Sequence, residues 1–180
     1  MNQKTNRTKD LIYTERISSN KTEALFLILT LIFILLLIWR VNSVSLDWVA
    51  LLFAGFVVIF LFYSVNFRNL LICLTPEALK LTFGIFTWMV PVDNIQACSL
   101  DEVPVIMKYG GAGIHFMMIR KRYRASFNFL EYPRVVIAFK EKVGPVRDIS
   151  FSTCRPEEVI RLIQRVRDAL SLNQGEDRII

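Results

Sequence analysis

Residues Ala24–Trp39 read ALFLILTLIFILLLIW, and residues Trp48–Tyr63 read WVALLFAGFVVIFLFY. Neither run carries a charge, and Thr30 is the one hydroxyl before the second run's terminal tyrosine. Between them, Arg40-Val-Asn-Ser-Val-Ser-Leu-Asp47 has the composition of a turn. Helices apolar on every face have to be covered by a large core or by lipid. The rest of the chain is too small to cover two of them, so the pair reads as a transmembrane helical hairpin over residues 22–67. A bilayer core of about 30 Å takes about 20 helical residues at ~1.5 Å each. Each run has 16 residues, so flanking residues extend the helices to about 23–40 and 48–65. Trp39, Trp48 and Tyr63 stand at run ends, where amphipathic rings settle at headgroup level, and Arg40 snorkels outward.

Orientation follows from the basic residues. Lys4, Arg7, Lys9, Arg16 and Lys21 precede the first run and Arg68 follows the second, whereas Arg40 alone sits near the loop. The positive-inside rule therefore predicts a multi-pass protein of the cell (inner) membrane with both termini cytoplasmic. A cleaved signal peptide is the competing reading. Its charged region is too long, and no small-x-small site follows Trp39. Ala50 and Ala54 give a small-xxx-small pair that favours close helix packing. No ionisable residue lies inside either run, so the sequence offers no ion or proton path of its own.

The chain has 180 residues, 53% of them hydrophobic, and a net charge of +6. The apolar excess is concentrated before Phe67, leaving enough chain beyond it for one small domain. A surplus of this size suits an anionic membrane surface and is too small to indicate nucleic acid. Cys73, Cys98 and Cys154 form no CxxC or Cys/His spacing, which argues against a disulfide framework and against zinc.

After Asn69 the apolar period becomes two. Strand-like segments fall at Leu79–Phe83, Phe86–Val90, Ile95–Leu100, Ile114–Ile119, Ala125–Phe129, Val135–Phe139 and Arg147–Ser152, with turn residues between them. One amphipathic helix follows at about 156–171, opened by Pro156-Glu-Glu158, with Val159, Ile163, Val166 and Leu170 on one face. The expected fold is a mainly-β domain over residues 69–172, an antiparallel barrel or sandwich closed by that helix. Residues 1–21 are expected to be a flexible basic tail and residues 173–180 a frayed one.

Several segments in order resemble bacterial membrane-anchored PH-like (pleckstrin-homology-like) domain proteins. They are Thr75-Pro-Glu-Ala-Leu79, Phe83-Gly-Ile-Phe86, Pro91-Val-Asp-Asn-Ile95, Tyr109-Gly-Gly-Ala-Gly-Ile114 and Ser152-Thr-Cys-Arg-Pro-Glu-Glu-Val-Ile160. The resemblance implies a transmembrane pair followed by a PH-like antiparallel barrel capped by a C-terminal helix, in a group mostly without a known ligand. The chain departs from that group at Arg120-Lys-Arg-Tyr-Arg124, where its members are often Gly-rich and lightly charged.

That basic corner is the leading candidate site. Arg120, Lys121, Arg122 and Arg124, interleaved with Tyr123, are expected to bind anionic lipid headgroups or a partner protein. The plainer alternative is a charged turn that keeps a sheet edge soluble. Specific phosphoinositide recognition is not expected, because Leu74–Lys80 carries a single Lys and an acid. Gly110-Gly-Ala-Gly113 lacks the Lys-Ser/Thr ending and following helix of a phosphate loop and reads as turn chemistry. His115 and Cys154 have no base beside them in the sequence, and Asp101-Glu102 reads as solvated charge. No catalytic residue, metal site or cofactor is expected. The function expected is a membrane-anchored binding or scaffold module. Its partners would be the lipid bilayer, another membrane protein or a second copy. The alternatives are a membrane enzyme acting on lipid or peptide, and an accessory subunit of a transporter complex.

Overall fold

A computed structural model describes residues 11–44, 46–102, 113–119, 121–129 and 131–176, with side chains described as far as residue 172. Two long helices are inserted between the first two strands of a sheet. Strand β1 (Tyr13–Ser18) runs into α1 (Asn20–Val44), and α2 (Trp48–Asn66) returns into β2 (Asn69–Leu74). At ~1.5 Å per residue the helices are about 37 and 28 Å long, enough to cross a bilayer. Only 11% and 6% of their most apolar windows are buried. They are therefore not core helices of a soluble domain, and their outward faces of Leu, Ile, Val and Phe are open.

Ser19 caps α1 by accepting the Thr22 N–H at 3.1 Å. Asp47 caps α2 by accepting the Ala50 N–H at 3.0 Å and also takes the Arg40 guanidinium. Arg40 is thus neutralised inside the loop instead of reaching out alone. Between the helices Phe33 packs on Phe53, Phe56 and Phe60, and Ala50 is fully buried. Ala54 is only partly buried.

Strands β3 (Ala78–Phe83) and β4 (Phe86–Pro91) complete a four-stranded antiparallel sheet in the order β1-β2-β3-β4. A 3₁₀ turn at Val92–Asn94 leads to β5 (Ile95–Leu100). Then come β6 (Gly113–Ile119), β7 (Arg122–Asn128), β8 (Arg134–Val143) and β9 (Val146–Ser152), and helix α3 (Pro156–Glu176). These strands form a second sheet in the order β5-β8-β9-β7-β6. One contiguous core joins the inner faces of both sheets. Leu70, Ile72, Leu74, Leu81 and Phe83 come from the first sheet, and Ile137, Ile149 and Phe151 from the second.

Four expectations change. Residues 1–21 are not a tail throughout: Tyr13–Ser18 is a strand paired with β2, and Tyr13 and Ile17 are in the core. The sheets are not purely antiparallel, because β9 lies beside β7 in parallel register from Arg124↔Asp148 to Phe127↔Phe151. The tight β8–β9 turn inserts β9 between β8 and β7, and strand direction then follows from position in the sheet. Among the described residues the strands form two sheets and no closed barrel. Helix α3 continues to Glu176, into the stretch expected to fray. It buries Val159, Ile163 and Val166, as its spacing predicts, and packs against β5, the 3₁₀ turn and β8.

Candidate functional site

The basic corner is the turn of the β6–β7 hairpin. Lys121 holds a left-handed backbone there (φ 64°), which supplies the reversal a short turn needs. Arg120 lies outside the described residues. Tyr123 packs against the core and stacks on Phe116 with centroids 6.0 Å apart. Arg122 and Arg124 are not presented to solvent as a cationic cluster. Arg122 Nε donates to both Asp148 oxygens at 2.8 and 3.0 Å. Arg124 reaches Asp101 at 3.3 Å and Asp148 at 3.8 Å, and Arg134 reaches Asp101 at 3.1 Å.

Four of these five side chains are deeply buried, with Asp101 at 3% exposure. Burial pulls the Arg134 guanidinium below its ordinary pKa, Asp101 opposes that, and neighbouring Arg124 adds to it. The expectation that Asp101 is solvated charge is therefore corrected: it bridges two guanidiniums. Asp148 shares one face of β9 with Ser150 and Ser152, and Ser126, in register with Ser150, shares the same face of β7 with Asn128, all of them buried. Their alternation with Ala125, Phe127, Ile149 and Phe151 looks in sequence like a wet outer face, and sequence reading missed that it is covered.

The corner also stands away from the helices. Phe67, just past α2, touches the site where a Gly113 side chain would start, at 3.5 Å, and packs on Phe83, which packs on Phe129. These contacts place the open end of the β6–β7 hairpin at the helix base. Trp88, two residues along β4 from Phe86, meets Phe116 and Phe127, so the hairpin climbs with β4. Its turn is six residues further from Gly113, about 20 Å along the strand.

At the base, strand and helix are locked together. Ser18 pairs with Asn69 directly beneath the two helices. Phe86 stacks on Phe67 and meets Phe62 edge-on, while Tyr63 packs between Phe26 and Phe67. Tyr63 is thus a joint between helix and domain, in contrast to Trp39 and Trp48, which are exposed (62% and 74%) at the loop end. Gly84 (φ +57°) lies so close to α2 that an added Cβ would collide with the Asn66 carbonyl oxygen and stand 2.8 Å from the Asn66 Cα. Asn66 itself is buried, and its Oδ1 accepts from the Ile85 N–H at 3.4 Å. A second strap joins β1 to the start of α3: Glu15 accepts from Tyr13, Thr153 and the Cys154 N–H.

Among the described residues, no three His, Cys, Asp or Glu side chains gather to hold a metal ion. Comparison of the chain with protein-family models, curated proteins and solved structures finds no match.

Proposed function

We propose that this chain is a membrane-anchored binding or scaffold module that holds a PH-like domain at the cytoplasmic face of the cell membrane. The observation that carries this reading is the continuity of β1 with α1 and of α2 with β2. An anchor built this way fixes the domain's orientation instead of merely tethering it. The PH-like reading is supported by the run of short strands that follows the apolar helix pair and by the closing helix α3, while β1 stands ahead of the pair and joins the first sheet. Arg16, Lys21 and Arg68 stand at the strand end of the helices and Arg40 alone at the other end. The positive-inside bias counts basic residues even where they are paired, as Lys21 is with Glu131, Arg68 with Glu23 and Arg40 with Asp47. That asymmetry favours a cytoplasmic domain.

A protein partner or a second copy would meet the edge strands β4 and β6, where Met89 (61%) and Met118 (73%) are exposed. A photo-crosslinking residue at Met89 or Met118 of the full chain, in native membranes, is expected to give a discrete adduct. No adduct from either position, combined with turnover of lipid or peptide by the purified chain, would replace this reading with the enzyme alternative. Sidedness is read from Cys154, which is exposed, in a Cys73→Ala, Cys98→Ala background. An impermeant thiol reagent should label it only after the membrane is opened, whereas Ser43→Cys, exposed in the last turn of α1 beside the loop, labels from outside. The reverse pattern would invert the proposed topology.

A further inference from the structure

Where the outer face of the four-stranded sheet meets the last turn of α2, the surface forms a groove of about 310 Å³. Val65 and Gly84 line its helix side, Asn69, Leu71 and Thr82 its sheet side, and Arg16 its rim. Position, polarity and charge together decide what fits. The groove lies at the strand end of a membrane-length helix, which is headgroup depth when that helix spans the bilayer. Val58, Leu61 and Val65 are exposed at helical spacing (66%, 49% and 75%), so an apolar track leads from the middle of α2 to the groove. Among the described residues no carboxylate pairs with Arg16. Its Nε donates to Asn69 Oδ1 at 3.4 Å, which holds the guanidinium over the groove.

We infer that this groove binds the headgroup of an anionic phospholipid whose acyl chains lie along α2. Arg16 takes the phosphate, for which a planar guanidinium is suited. Asn69 and Thr82 offer an amide and a hydroxyl to the polar headgroup. Leu71 and Val65 cover its glycerol end. The bound lipid would touch β1, β2, β3 and α2 together, at the joint that fixes the domain. The inference rests on the membrane-anchored reading and assigns that anchor a lipid preference.

The test uses the full chain reconstituted in nanodiscs of phosphatidylcholine and phosphatidylglycerol in equal amounts, with retained lipid counted by native mass spectrometry. Phosphatidylglycerol should be enriched about fivefold, the ratio one basic side chain supports at an anionic surface. Arg16→Gln should bring the ratio to parity, and so should Thr82→Trp, which fills the groove without changing charge. Lys80→Gln, a basic residue on the same sheet face outside the groove, should leave the enrichment intact. Unchanged enrichment in Arg16→Gln and Thr82→Trp overturns the site. So does an equal loss in Lys80→Gln, which means surface charge alone. Displacement of the lipid by free glycerol 3-phosphate overturns the lipid assignment in favour of a soluble phosphate ester. Failure to enter nanodiscs at all overturns the anchoring reading first, and this inference with it.

Discussion

Asp101 and Asp148 show how differently a charged residue behaves once its surroundings are known. Each is buried between arginines, so removing one carboxylate strands guanidiniums away from water. Asp148→Ala is expected to cost ~3–5 kcal/mol, the usual consequence of breaking a buried pair from one side. Lys121→Gln on the neighbouring turn should stay within ~0.5 kcal/mol. Denaturant unfolding of the full chain in detergent separates the two, and equal effects would refute the buried network. The thiols give a second residue-scale check. Burial pushes the Cys98 thiol up to about 12, so it stays protonated through the neutral range. Cys154 is also raised, by desolvation first and then by its hydrogen bond with Glu15, but it is exposed. Raised pKa values mean less thiolate at neutral pH, so maleimide labelling of the native chain should accelerate as pH rises, with Cys154 reacting well before Cys98. Faster modification of Cys98 would contradict its burial.

At the scale of elements, the sequence reveals what is local and hides what is distant. Leu79–Phe83 alternates cleanly and is β3, and Val159, Ile163 and Val166 recur at helical spacing and are buried in α3. Tyr13–Ser18 offers just two large apolar side chains for the core, Tyr13 and Ile17, and its partner β2 lies beyond the whole helical hairpin. No local period reports such a pairing. The parallel β7–β9 contact is hidden for the same reason. Of the site, the sequence shows the basic corner, but the carboxylates that pair with Arg122 and Arg124 lie far along the chain, Asp148 on β9 and Asp101 just past β5. Ile17→Ala should cost ~2–4 kcal/mol, as for a buried aliphatic side chain and unlike a change in a loose tail. Gly84→Ala should be worse than Gly144→Ala. Both have positive φ, a strain of ~1–2 kcal/mol for a side chain, but only at Gly84 does the new Cβ also meet the backbone of α2. Equal thermal shifts for the two variants would mean that the sheet and helix do not touch as described.

For the whole molecule, the joint between helices and sheets sets what each surface can reach. The β3–β4 turn, with Ile85 72% exposed, sits at the base beside Asn66 and Phe67. The basic turn at Lys121 stands at the far end of its hairpin. In the proposed anchored arrangement it therefore faces the cytoplasm or a partner, and not the bilayer. The proposed lipid groove and the exposed methionines then divide the domain between a membrane side and a partner side. Site-directed spin labelling tests this arrangement most directly, with single labels at Ile85→Cys and Lys121→Cys in the full chain in bilayers. Relaxation by oxygen, which concentrates in lipid, should exceed that by a water-soluble nickel complex at Ile85, with the opposite order at Lys121. The same accessibility at both labels, or a lipid signature at Lys121, would contradict a domain held upright on its own transmembrane hairpin.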